Sequence, residues 1–96
     1  MADQEVYQAA MREAASAAWD QNWQQAIRLY QRAAEIIPDD AQALAGLALS
    51  LMEGGQHAQA LQAYERVSKL VPNDPLPLEK IAQILENMNR VSDAAK

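Results

Sequence analysis

The chain contains no cysteine and no phenylalanine, and only three glycines and four prolines. Without cysteine there is no disulfide framework, no thiolate nucleophile and no zinc knuckle. That absence agrees with a cytoplasmic location, which is the one expected. Aromatic residues make up 5 % of the 96 positions, supplied by Tyr7, Trp19, Trp23, Tyr30 and Tyr64. A core so poor in aromatic side chains cannot fill a β-sandwich or barrel. Basic residues are scarce too, 8 against 13 acidic ones for a net charge of −5, and they form no stripe. A phosphate backbone is therefore a poor partner, and no nucleic acid is expected. No apolar run reaches the roughly 20 residues that cross a bilayer. The opening Met1-Ala2-Asp3-Gln4-Glu5 is acidic and polar, unlike a signal peptide, and no membrane association is expected.

What the chain has in abundance is alanine, at 20 positions. Alanine has the best helix propensity and lets helix backbones approach closely. The length allows one domain, residues 1–96. Its punctuation repeats: Ile36-Ile37-Pro38-Asp39-Asp40 recurs as Leu70-Val71-Pro72-Asn73-Asp74, a shift of 34. Sliding residues 7–40 onto 41–74 gives ten identities without a gap, among them Ser16/Ser50, Gln25/Gln59, Tyr30/Tyr64 and Arg32/Arg66. Ala14, Ala48 and Ala82 persist through three copies, as do Ala26, Ala60 and Ala94. Small residues at a fixed period are what crossing helices require. The units are 7–40, 41–74 and a partial third over 75–96, which reads as part of a longer protein.

Within each unit the apolar period is helical. Leu44, Leu47, Ala48 and Leu51 form one stripe, and Gly54-Gly55 ends it with the left-handed turn that glycine supplies. Ala60, Leu61, Tyr64, Val67, Leu70 and Val71 form the next, closed by Pro72. In the first unit, helices are expected near 4–20 and 23–36, with Asn22 as N-cap and Gln25 completing a capping-box-like pair. Asp40 caps the third helix, Asp74 the fifth with Pro75 at its first position, and a sixth is expected from about Val91. The expected fold class is all-α, built of stacked antiparallel helical hairpins.

A 34-residue helix–turn–helix unit with this punctuation resembles the tetratricopeptide (TPR) repeat. With each unit numbered so that its proline stands at 32, the second reads Leu44, Leu47, Ala48, Leu51, Gly55, His57, Ala60, Tyr64, Val67 and Pro72 at the family's signature positions. The first keeps Ala14, Trp23, Ala26, Tyr30, Ala33 and Pro38, but carries Ala10, Glu13 and Ala17 where large apolar residues belong. The third keeps Leu78, Ile81, Ala82, Leu85 and Ala94, with Asn89 in place of glycine. The resemblance implies a right-handed superhelix of stacked repeats, a non-catalytic role and no cofactor.

No catalytic constellation competes with this reading. His57, the only histidine, has no Cys or Ser–Asp set around it and occupies an aromatic packing position. Asp39-Asp40 lies at an inter-repeat turn, where one member serves as an N-cap. Gly54-Gly55 lacks the Lys-Ser/Thr of a phosphate loop and is a turn. No metal site is expected.

In the TPR family, positions 2, 5, 9, 12 and 13 of each first helix line a concave groove, and helical geometry sets them roughly opposite the core stripe. The candidate groove residues are Gln8, Met11, Ala15 and Trp19 from the first unit, then Ala45, Leu49 and Met52 from the second. The third supplies Glu79, Gln83 and Glu86. Ala18, Gln42, Glu53, Leu76 and Asn87 share these positions. The groove thus reads apolar on its first two helices and acidic on the third. Chaperone-binding relatives grip a terminal carboxylate with two Asn and several basic residues, whose positions here hold Met11, Ala15, Gly46, Leu76 and Lys80. Only Lys80 fits, so that subclass is not expected. The expected function is a protein–protein interaction scaffold that binds a peptide or helix in the groove, with basic residues beside Glu79 and Glu86. The alternative is homodimerisation through the partial third repeat, where Ile81, Ile84, Leu85, Met88 and Val91 would otherwise form an uncovered apolar patch.

Overall fold

A computed structural model describes residues 2–94 of the chain. Five helices follow in order: α1 (Ala2–Trp19), α2 (Trp23–Ile36), α3 (Ala41–Glu53), α4 (His57–Leu70) and α5 (Leu76–Ala94). Among the described residues there is no strand. The fold is an all-α helical repeat in which α1 pairs with α2, α3 with α4, and α5 lies on α4. Sequential stacking leaves the molecule elongated, 52 × 30 × 17 Å.

The repeat is visible at the level of single hydrogen bonds. At the end of α3 the Gly55 N–H donates to the Met52 carbonyl at 3.1 Å and the Gln56 N–H to the Leu51 carbonyl at 2.8 Å. At the end of α1 the same pair joins Gln21 to Ala18 at 3.0 Å and Asn22 to Ala17 at 2.8 Å. This pair of hydrogen bonds is the Schellman motif, which needs a left-handed residue at its centre. Gly55 takes it at φ +84°, and Gln21, its counterpart one repeat earlier, takes it at +60°. An L-residue is strained there by about 1–2 kcal/mol, partly offset by the chain entropy that glycine loses on folding. Gln21→Gly should therefore stabilise the domain by about 0.5–1 kcal/mol in a denaturant melt. Nothing lies within 4 Å of a Cβ built on Gly55, so Gly55→Ala should cost about 1 kcal/mol on conformation alone.

The helix starts follow the expected caps in part. The Asn22 side chain accepts the Gln25 N–H, but the Gln25 side chain takes Arg28 at 2.8 Å, so the capping box is only half made. Asp40 accepts the Ala43 N–H at 3.3 Å and caps α3. Asp74 accepts the Leu76 N–H at 3.0 Å, and α5 begins at Leu76, one residue beyond the expected Pro75.

Alanine closes the helix pairs. Ala14, Ala26, Ala48 and Ala60 are fully buried, as the repeat register requires. The main core cluster joins Ile27, Ala48, Leu51, Met52, Ala60, Ala63, Tyr64 and Ile84 across four helices, and a smaller one joins Ala10, Ala33 and Ala43. Trp23, at the aromatic signature position that opens α2, is half-buried.

The third unit departs from expectation. α5 runs unbroken to Ala94, through Asn89 and Val91, where a turn and a sixth helix were expected. No glycine or proline interrupts residues 79–94, and Arg90 pairs with Glu86 at 2.6 Å in the i,i+4 spacing that supports a continuous helix. Ile84 is also not part of a bare patch, because it is fully buried in the main core. The exposed apolar residues of α5 include Leu76 at 51 %, Leu78 at 61 %, Leu85 at 47 % and Met88 at 37 %, with Ala82 also exposed.

Candidate functional site

Gln8, Met11 and Ala15 fall on one face of α1, because spacings of three and four residues return to the same side of a helix. They line an open recess of about 610 Å³ together with Tyr30 from α2 and Gln42 from the first turn of α3. Tyr7 and Arg12 complete the lining, and Arg12 is the one charged residue among it. Gln8 and Gln42 are repeat counterparts, 34 positions apart, so the recess is flanked by two carboxamides in matching register.

Gly46 seats the Tyr30 ring that lines this recess. A Cβ there would stand 2.8 Å from Tyr30 Cδ1 and nearer still to the outer edge of the ring. The ring therefore lies directly on the α3 backbone, an approach that only glycine permits. Burial pushes the Tyr30 phenol above its ordinary pKa, as expected for a ring seated between helices.

Tyr7 fixes the rim. Its hydroxyl donates to Asp40 Oδ2, the same oxygen that caps α3, so the two repeats are joined at the mouth of the recess. Burial first, then the hydrogen bond and the negative charge of Asp40, push the Tyr7 phenol up to about 12. Tyr64 in the core is likewise pushed up to about 12, by burial and then by Glu53. For both groups the folded state favours the neutral phenol. Their contribution to stability is complete below about pH 10 and is lost as pH rises toward 12. Thermal melts should show this alkaline decline, and Tyr7→Phe should make it shallower.

The remaining expected groove residues are spread out. Trp19 at the end of α1 is 89 % exposed, and Leu49 is 38 % exposed. Ala45 is half-buried, while Glu79, Gln83 and Glu86 are exposed on α5. Met52 is buried in the main core, because it follows Leu51 and stands four residues beyond Ala48, at the border of the core stripe. Glu86 is engaged by Arg90, which leaves Glu79 as the freer acid of the pair. The structure thus gathers Gln8, Met11 and Ala15 into one recess, with Gln42 beside them. Tyr7, Arg12 and Tyr30 belong to the same recess and were not among the expected groove residues. An interior helix glycine at 46 was the one sequence signal for a large ring packed against α3.

Both acids of the inter-repeat turn are engaged in the fold. Asp39, at φ +64°, pairs with Arg66 at 3.0 Å across the repeat boundary, and Asp40 caps α3. No helix among the described residues is long and apolar enough to cross a membrane.

A sequence model of the Tetratricopeptide repeat family matches residues 20–84. The chain belongs to the tetratricopeptide repeat family. A solved chain of the CopN-Scc3 complex has the same fold, with a TM-score of 0.81 and 24 % identity over 97 % of this chain and 52 % of that one. The chain thus spans about half the length of that relative. No curated protein matches it. Tetratricopeptide repeats are protein-interaction repeats and are generally non-catalytic. Against the carboxylate grip of chaperone-binding TPR proteins, Met11 and Ala15 line the recess and Gly46 lies under the Tyr30 ring. None of these three offers a polar side chain for a terminal carboxylate.

Proposed function

We propose that this TPR domain is a non-catalytic interaction scaffold of the cytoplasm that binds a protein segment in its concave groove, with the α1–α2–α3 recess as the anchoring point. The observation that carries this reading is the recess itself. An open cavity of about 610 Å³ with Met11, Ala15 and the Tyr30 ring in its walls accommodates an apolar side chain, and the carboxamides of Gln8 and Gln42 flank it. Ligand sites are mostly apolar concavities with a few placed polar groups. Trp19 and Leu49 add exposed apolar surface of the kind that adaptable interfaces use.

The test uses peptides selected against the full chain from a random display library. Ala15→Arg places a long cation at an exposed position of the recess wall and should weaken the selected peptides by about tenfold or more, the range expected for a lost anchor. Gln62→Arg, beside a different crevice lined by Leu44 and Leu47, should leave them unchanged. Equal effects of both variants would reject the groove as the binding surface.

A second reading is favoured by α5. Leu78 and Leu85 are exposed at 61 % and 47 % on one side of a helix whose other side is docked on α4. Two copies pairing through this stripe would cover it, and two-fold pairing is the commonest closed arrangement. A solution mass that stays monomeric over a wide concentration range would reject it.

A further inference from the structure

We infer that the segment held in the recess is extended and carries an acidic residue directly beside its apolar anchor. This rests on the groove reading and goes beyond it by naming the ligand's chemistry. Three observations converge. The recess holds one charged residue, Arg12, and among the described residues that guanidinium makes no ion pair or hydrogen bond. The two acids of the neighbouring turn are occupied elsewhere, Asp39 by Arg66 and Asp40 by Tyr7 and the α3 cap. A free guanidinium beside an apolar concavity is complementary to a carboxylate next to an apolar side chain, and its planar fork suits that group.

The third observation concerns backbone. Gln8 and Gln42 stand at the same repeat position on α1 and α3 and both face the recess. Each carboxamide offers a donor and an acceptor, the complement of a peptide unit. A helical ligand has already used its interior N–H and C=O groups, so a pair of carboxamides in register favours an extended strand.

The experiment uses the full chain and two synthetic heptapeptides of identical composition, acetylated and amidated so that no terminal charge remains. One places Asp next to a central Leu and Lys at the far end. The other exchanges the Asp and the Lys. Amide NMR shifts of Met11, Tyr30 and Gln42 report binding. The Asp–Leu peptide should bind about three- to fivefold more tightly, the scale of one exposed ion pair, and the difference should shrink with salt. Arg12→Glu should reverse the preference, and methylating the Leu backbone nitrogen should weaken binding. Equal affinities in wild type, or a preference that Arg12→Glu leaves unaltered, would overturn the acidic-anchor assignment while the groove reading stands. Undiminished binding of the methylated peptide would overturn the extended backbone. No shift at these three residues with either peptide would overturn the groove reading together with the inference.

Discussion

Replacing Ile84 with alanine should destabilise the domain by about 2–5 kcal/mol, the cost of deleting a large aliphatic side chain from a packed core. Ile84 is fully buried and joins the cluster formed by Leu51, Tyr64 and Ala60, so its loss leaves a void that closes only if α5 shifts toward α4 and gives up its present packing. Leu78→Ala and Leu85→Ala on the same helix should cost well under 1 kcal/mol, since 61 % and 47 % of those residues are already exposed. Denaturant melts of the three variants would measure the orientation of α5 directly. An Ile84→Ala protein as stable as Leu85→Ala would mean that α5 is not docked through this face. The same two leucine variants bear on self-association: if α5 pairs with its copy, they should dissociate the dimer while the fold survives.

Ile84 also shows where sequence reasoning stops. Hairpins, caps and the closing alanines were legible because each is written locally. Gly54-Gly55 ends a helix, Asp40 starts one, and a stripe at helical spacing names its own buried face. For α5 the sequence offers only the analogy between repeats. Analogy put a turn at Asn89, the counterpart of Gly55, and left Ile84 on an open face. The structure decides otherwise because a turn needs more than a tolerant residue. Gln21 adopts the left-handed turn without being glycine, since α2 docks against α1 and the Schellman bonds hold it there. At Asn89 no such bonds form and the Glu86–Arg90 pair runs with the helix.

The candidate site was legible to a similar depth. One helix face gave Gln8, Met11 and Ala15, because a single wheel orders them. Tyr30 came from the adjacent helix and was marked only by the space it needs at Gly46. Met52 lies where the wheel crosses from groove to core, and which side wins depends on neighbours that no single helix records.

Trp19→Ala should abolish or sharply weaken binding of the selected peptides and leave the fold almost untouched. The indole is 89 % exposed, so its packing holds nothing together, and an exposed substitution of this kind changes stability by about 0.5 kcal/mol at most. For a domain of this size that corresponds to a melting shift of about 2–4 °C. Trp23 is the control within the same turn. It is half-buried, with Gly54 packed so closely that an added Cβ would stand 3.3 Å from its own, and Trp23→Ala should cost several times more stability. An exposed tryptophan presents a large rigid apolar area, and truncating one that anchors an interface costs about 2 kcal/mol or more, near thirtyfold in affinity. Fluorescence reads the same contact from the other side. In a Trp23→Phe background the emission belongs to Trp19 alone, starts at the wavelength of a hydrated indole, and should shift to the blue as a peptide covers it. Unchanged affinity of the folded Trp19→Ala protein, together with emission that does not move on saturation, would remove Trp19 from the binding surface and leave the α1–α2–α3 recess as the anchor.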